Sequence, residues 1–365
     1  MKNTFGDNLA ITIFGESHGA AIGAVLDGLA PGIKIDEDFI KSQLTLRRPA
    51  GRISTARQEK DEYTIVSGAF EGHTTGTALT IIIPNEAQHS KDYSKNRSIA
   101  RPGHADYTAY CKYHGFEDYR GGGHFSGRVT AAVVAAGAIV IPALKEKGIF
   151  IGSHIKECAG IKDREFENYY EDIDKLGKMS FAVLNEDAAV KMRERAEEAA
   201  KDGDSVGGVL ETAVVGLPAG LGEPWFDSVE SKLAHAMFGI PAIKGIEFGA
   251  GFDMVDKRGS EFNDPFIIED EKISTASNNN GGINGGITNG MPVVFRLAVK
   301  PTPSIYKKQQ SVDFINGRGT ELQIEGRHDP AIIHRAKVVA ESLTAIVVYD
   351  ILAGRYGTDW FVKEN

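Results

Sequence analysis

Apolar positions along this chain change period from segment to segment, and those changes divide it into elements. Leu9 to Phe14 and Ala21 to Leu29 are β-branched runs that predict two strands, with Gly15-Glu16-Ser17-His18-Gly19 as the loop between them. Asp36 is a natural N-cap for a helix that Pro49 must end. EYTIVSGAF (62–70) and TALTIIIP (77–84) alternate as a strand pair. Asp106 to His114 has a helical stripe of Tyr107, Tyr110, Cys111 and His114, stopped at Gly115, which predicts that His114 is a structural residue on a core face.

VTAAVVAAGAIVIPAL (129–144) reads as a buried helix, shorter than a membrane span and carrying Pro142. Further strands are expected in GIFIGSHI (148–155), VGGVLETAVVGLP (206–218), IKGIEFGAGF (243–252) and MPVVFRLAVKP (291–301). A charged helix follows Asn185, and a long apolar one is predicted to open with Asp329 as N-cap and Pro330 at its first position. Strands and helices do not alternate strictly, so the expected class is α+β. No composition break divides residues 1–365, which are expected to form one domain with a polar excursion at 160–180.

The chain has 365 residues, 42% hydrophobic and 25% charged, an ordinary globular balance. Its formal charge of -9 excludes a chain-wide basic field for nucleic acid or an anionic membrane, so an anionic partner must be met locally. Two cysteines, Cys111 and Cys158, make neither a disulfide framework nor a zinc motif, and no signal-like segment leads the chain. A cytoplasmic setting is expected.

Against this acidic background, Arg47, Arg48, Arg52 and Arg57 lie in one segment opposed only by Glu59, and Arg97, Arg101, Arg120 and Arg128 in another with His104, His114 and His124. Guanidinium forks suit phosphate and carboxylate, so the clustering points to a small polyanion. RGGGHFSGR (120–128) offers successive bare N–H groups, Ser126 and a following helix start, an arrangement suited to an anion nest. The histidine spacing is not that of metal ligands, and no metal is expected. SNNNGGINGG (277–286) offers amides and bare backbone for a flat heterocycle, while neither a P-loop nor a Rossmann glycine motif is present. GESHG matches the G-x-S-x-G nucleophile elbow, but the elbow needs a strand-to-helix turn, and the segment after Gly19 reads as a strand.

GESHG, RPGHAD (101–106), RGGGHFSGR, KPTPS (300–304) and GRHDP (326–330), in this order, resemble the chorismate synthase family from about Phe5 to Gly354. The resemblance implies a β-α-β sandwich, a usually tetrameric flavoenzyme of the shikimate pathway, and anti-1,4-elimination of phosphate from 5-enolpyruvylshikimate 3-phosphate. Reduced FMN is required although no net redox change occurs.

Carried over by motif, His18 protonates the leaving phosphate, His104 protonates the reduced flavin, and Asp329 with Ser17 and Ser126 relays the departing ring proton. Arg47, Arg48, Arg52, Arg101, Arg128 and Arg327 form the substrate clamp. His124, Ser126, Asn279, Gly286, Lys300, Thr302, Ser304 and Arg327 hold the flavin. Two positions depart from the common pattern: His124-Phe125 where many members have Arg-Ser or Arg-Ala, and Pro303 where a small residue is usual.

Some members of the family reduce flavin with NAD(P)H themselves. No separate reductase domain is recognisable here, so an external flavin reductase is expected to be the source of reduced FMN. The competing readings are a phosphatase using His18 or His104 on a phosphorylated small molecule, and a regulatory module that binds such a metabolite without turnover.

Overall fold

The computed structural model describes residues 2–49, 60–86, 97–269, 271–324 and 329–362. The expected N-terminal runs form strands Ala10–Gly15 and Ala21–Asp27, paired antiparallel from Ala10↔Asp27 to Gly15↔Ile22. With Thr4–Phe5, Leu79–Pro84 and Thr64–Ser67 they make one five-stranded antiparallel sheet. A second is ordered Ile243–Phe248, Val293–Val299, Gly208–Val215, Phe150–Cys158, Ile161–Lys162, again antiparallel throughout.

Between the sheets lies a helical layer built on Thr130–Glu146 and Ile333–Tyr356. The first packs on the N-terminal sheet and the second on strands Phe150–Cys158 and Gly208–Val215, so helices packed with mainly antiparallel sheets form the α+β sandwich. Alanines 131, 132, 135, 136 and 138 are fully buried, and small side chains let the two helices approach closely. A Cβ on Gly137 would overlap Ser342 Cβ on the facing helix. The stretch Gly127–Glu146 is in fact long and apolar enough by composition to cross a membrane, contrary to the sequence reading; 78% of its most apolar window is buried within the fold.

The last helix begins at Ile333 with Ile332 at its cap position; Asp329 stands before it, its carboxylate held by Arg335 (Nη1 to Oδ2, 2.5 Å). The 106–113 helix buries only Ala109; Cys111 and His114 are exposed, and His114 is a left-handed C-cap at φ 58°. Asp36, by contrast, caps helix Glu37–Arg47 as expected, accepting from Phe39 N at 2.9 Å.

Residues 160–180 hold the edge strand Ile161–Lys162 and helix Tyr169–Leu176, which packs on strand Phe150–Cys158. Buried His154 fastens this region: Nδ1 lies 2.7 Å from Asp163 and Nε2 3.1 Å from Glu211. Burial alone would lower the His154 pKa, but the two carboxylates outweigh it and hold the value up.

Candidate active site

The end of strand Ala10–Gly15 delivers GESHG into the interior, where Ser17 and His18 are each only 3% exposed. Ser17 N donates to Gly123 O (3.1 Å), and Ser17 Oγ donates to Arg120 O (3.3 Å). That hydroxyl lies 3.1 Å from His18 Nδ1. The same hydroxyl thereby bridges the Arg120 carbonyl and the His18 ring and holds Nδ1 in place. Strand Ala21–Asp27 comes directly after the loop, so the strand-to-helix turn of a nucleophile elbow is absent here and Ser17 is an orienting group.

The triple glycine explains how the ring fits. Gly121, Gly122 and Gly123 have φ of 62°, 103° and 52°, an arc that a side-chain-bearing residue would strain to adopt. A Cβ on Gly121 would overlap His18 Cε1, and one on Gly122 would lie 3.2 Å from His104 Cε1. Adjacent glycines therefore carry the two histidines the sequence singled out. Ser126 accepts from Arg128 N at 3.2 Å, capping the turn before helix Thr130–Glu146. His124 Nδ1 donates to Gly15 O (2.8 Å), bracing the same loop.

In RPGHAD, Arg101 makes a two-point pair with Asp106 (Nε–Oδ2 2.8 Å, Nη2–Oδ1 2.6 Å), and His104 Nδ1 is 3.0 Å from Asp106 Oδ1. Burial disfavours ionisation of Asp106, but hydrogen bonds from Arg101 and His104 outweigh it and hold the carboxyl well below the usual range. His104 Nδ1 also lies 3.2 Å from Arg101 Nη2, so that nitrogen is held by both members of the ion pair. KPTPS meets the motif from the second sheet: Lys300 Nζ donates to Gly103 O (2.5 Å), and Pro303 lies against Gly103. Thr302 Oγ1 is buried without a hydrogen-bond partner among the described residues, and Ser304 is half-buried.

Arg47 and Arg128 converge on buried Asp61. Arg47 Nη2 lies 2.8 Å from Asp61 Oδ2, Arg128 Nη1 pairs with Oδ1, and Arg48 Nε is 3.7 Å away. Burial would raise the Asp61 pKa, but the two buried guanidinium groups outweigh it and pull it below the usual range. Arg335 extends the cluster, giving Nε to Arg47 O (2.8 Å) and Nη1 to Asp329. Sequence reasoning missed both residues. Asp61 is two residues past the Glu59 counted as the segment's only acid, while Arg335 stands inside an apolar helix and belongs to none of the motifs.

Other assigned positions lie apart. Asn279 belongs to a loop organised by Asp264, donating Nδ2 to Phe262 O (2.9 Å) while its carbonyl accepts from Ala250 N (2.8 Å). Lys300 N bonds to Ala242 O, at the opposite end of strand Ile243–Phe248; at about 3.3 Å per residue the two ends are about 20 Å apart. Gly286 O accepts from Val229 N at the start of helix Val229–Met237, whose far end leads to Ala242. Within one chain, therefore, neither joins Lys300 and His104. Arg52, Arg57 and Arg327 lie outside the described residues.

A family model described as chorismate synthase matches residues 9–353. Chorismate synthases of Thermococcus gammatolerans and Archaeoglobus fulgidus are each 44% identical to this chain, over 98% and 96% of it and 99% and 97% of their own lengths. A crystal structure of chorismate synthase superposes with a TM-score of 0.76 at 29% identity, covering 96% of this chain and 94% of that one. Matches of this extent in sequence and in fold lead to one conclusion: the chain belongs to the chorismate synthase family.

Proposed function

We propose that this chain converts 5-enolpyruvylshikimate 3-phosphate to chorismate and phosphate by anti-1,4-elimination, with reduced FMN as cofactor. The observation that carries the reading is the placing of His18 and His104 on adjacent glycines, with the fixed cations of the Arg47–Asp61–Arg128 cluster connected to the same loop. Two carboxylates and an allylic phosphate need fixed positive groups, and arginines already held in place make little reorganisation necessary.

His18 in its imidazolium form gives a proton to the departing phosphate, its ring held in place by Ser17. Asp329, with Ser17 and Ser126, relays the proton lost from the ring. Arg47, Arg48 and Arg128 bind the substrate's anionic groups, joined by Arg101. A bound reduced flavin supplies electron density to the allylic system as phosphate leaves. The unsatisfied Thr302 hydroxyl fits a polar cofactor group, so Lys300, Thr302 and Ser304 would hold it beside His104, which balances its charge.

We further infer a homotetramer, supported by the apolar surface exposed within one segment by Phe252, Val255, Phe266, Ile268 and Ile273. Reduced FMN comes from a separate flavin reductase, and NADPH oxidation by the pure protein would overturn that. Both cysteines are free thiols, in keeping with a cytoplasmic setting.

The test is anaerobic: substrate is mixed with protein and either dithionite-reduced FMN, oxidised FMN or no flavin, and chorismate and phosphate are followed together. Equal release of both only with reduced FMN is expected. Phosphate without chorismate would establish a phosphatase instead, and binding without turnover a sensor.

A further inference from the structure

We propose that Asn85 is the positioning residue that sets the geometry of His18 and registers it against Arg128. Nothing in the motifs marks it; it lies one residue past strand Leu79–Pro84, between the recognisable segments. Its Nδ2 donates to Glu16 O and to Gly19 O, both at 2.9 Å, and its backbone N donates to Ala20 O at 3.1 Å. Those side-chain bonds grip the two carbonyls that flank Ser17 and His18. Asn85 Oδ1 meanwhile accepts from Arg128 Nε at 3.0 Å.

These partners fix the amide orientation. Turned over, it would set its oxygen against two carbonyl oxygens and its NH2 against a guanidinium, losing every bond. One side chain thus joins the loop carrying the phosphate's proton donor to an arginine of the anion cluster. Through Arg128 the linkage reaches Asp61, Arg47, Arg335 and Asp329, so the two proposed proton-handling groups stand at the ends of one bonded network. Aspartate at position 85 would keep the acceptor for Arg128 but lose both donors and oppose two carbonyls with a carboxylate.

The inference rests on His18 being the acid, and the experiment separates the two claims by a double-mutant cycle in single-turnover chorismate formation with reduced FMN. Asn85→Asp is expected to lower the rate about 10²-fold with substrate affinity within about threefold, the size of loss that about 1 Å of misplacement causes. In a His18→Ala background the same change is expected to cost less than about threefold, since the group it positions is gone. Equal losses in both backgrounds would overturn the positioning role and leave the acid role intact. A His18→Ala variant as fast as wild type would overturn the acid role, and the inference with it. Should Asn85→Asp fail to fold by circular dichroism, Asn85→Ser, which keeps one short donor, enters the same cycle and is read the same way.

Discussion

His18 fills the space that a side chain at Gly121 would need: any Cβ there overlaps Cε1 of the ring. Gly121→Ala must therefore push the histidine away from Ser17 while straining a residue at φ 62°. Chorismate formation should fall by about 10²-fold or more, with a smaller effect on FMN affinity. Steady-state kinetics beside a flavin titration check this, and an unchanged rate would show that the ring has room to spare.

Asp61 neutralises two buried arginines that would otherwise repel each other. Asp61→Asn removes the carboxylate between Arg47 and Arg128, and removing one partner of a buried pair costs about 3–5 kcal/mol. Denaturant unfolding should report a loss of this order. Substrate or a substrate-like dianion should restore part of it, because the anion supplies the missing charge.

Thr302 offers a cleaner view of the proposed cofactor site. Thr302→Val removes a buried hydroxyl that has no partner among the described residues, so the free protein should be no less stable, while FMN should bind about 10-fold more weakly for the loss of one hydrogen bond. Fluorescence titration of FMN without substrate reads this directly. Unchanged affinity would remove Thr302 from the cradle.

Below about pH 6.5 the pH dependence of stability divides into two windows. Burial, then the neighbouring Arg335 charge, push the His334 pKa down from 6.5 to about 3. The unfolded chain takes up that proton first, so stability falls as pH drops from about 6.5 towards 3. Asp61 and Asp106, held below the ordinary carboxylate value of 3.8, lose their contribution only as pH falls further. His334→Leu should flatten the unfolding midpoint between about pH 6 and 4 while the steeper loss below about pH 4 persists; a wild-type curve already flat above that point would contradict the assignment.

Much of the scaffold could be read from residue order because local signals and tertiary demands agree there. The Leu9–Phe14 and Ala21–Leu29 runs, the Asp36 and Asn185 caps and the alanine-rich helix all fell where periodicity placed them. Errors arose where a long-range partner overrode a local rule. Asp329 has the chemistry of an N-cap, but Arg335, inside the helix, takes its carboxylate and the helix starts later. The 106–113 stripe has helical spacing but little to pack against, so its periodicity did not mean burial. In the proposed site, the motifs pointed to the histidines and most of the arginines, whereas Asp61, Asn85 and Arg335 join them through contacts that no spacing encodes.

Asp350, fully buried in the C-terminal helix, accepts backbone hydrogen bonds from Asp7, Asn8 and Leu9, more than 340 residues earlier. Beside it, the Tyr349 phenol oxygen accepts from Ala30 N at 2.8 Å. During translation the segment leading into the first sheet must then wait for almost the entire message to be read, which at about 5–20 residues per second means roughly 20–70 seconds before the N–H groups of residues 7–9 meet their acceptor. A ribosome stalled before the final helix would release a chain whose earliest hairpin is made but unsealed, a natural target for chaperones and proteases.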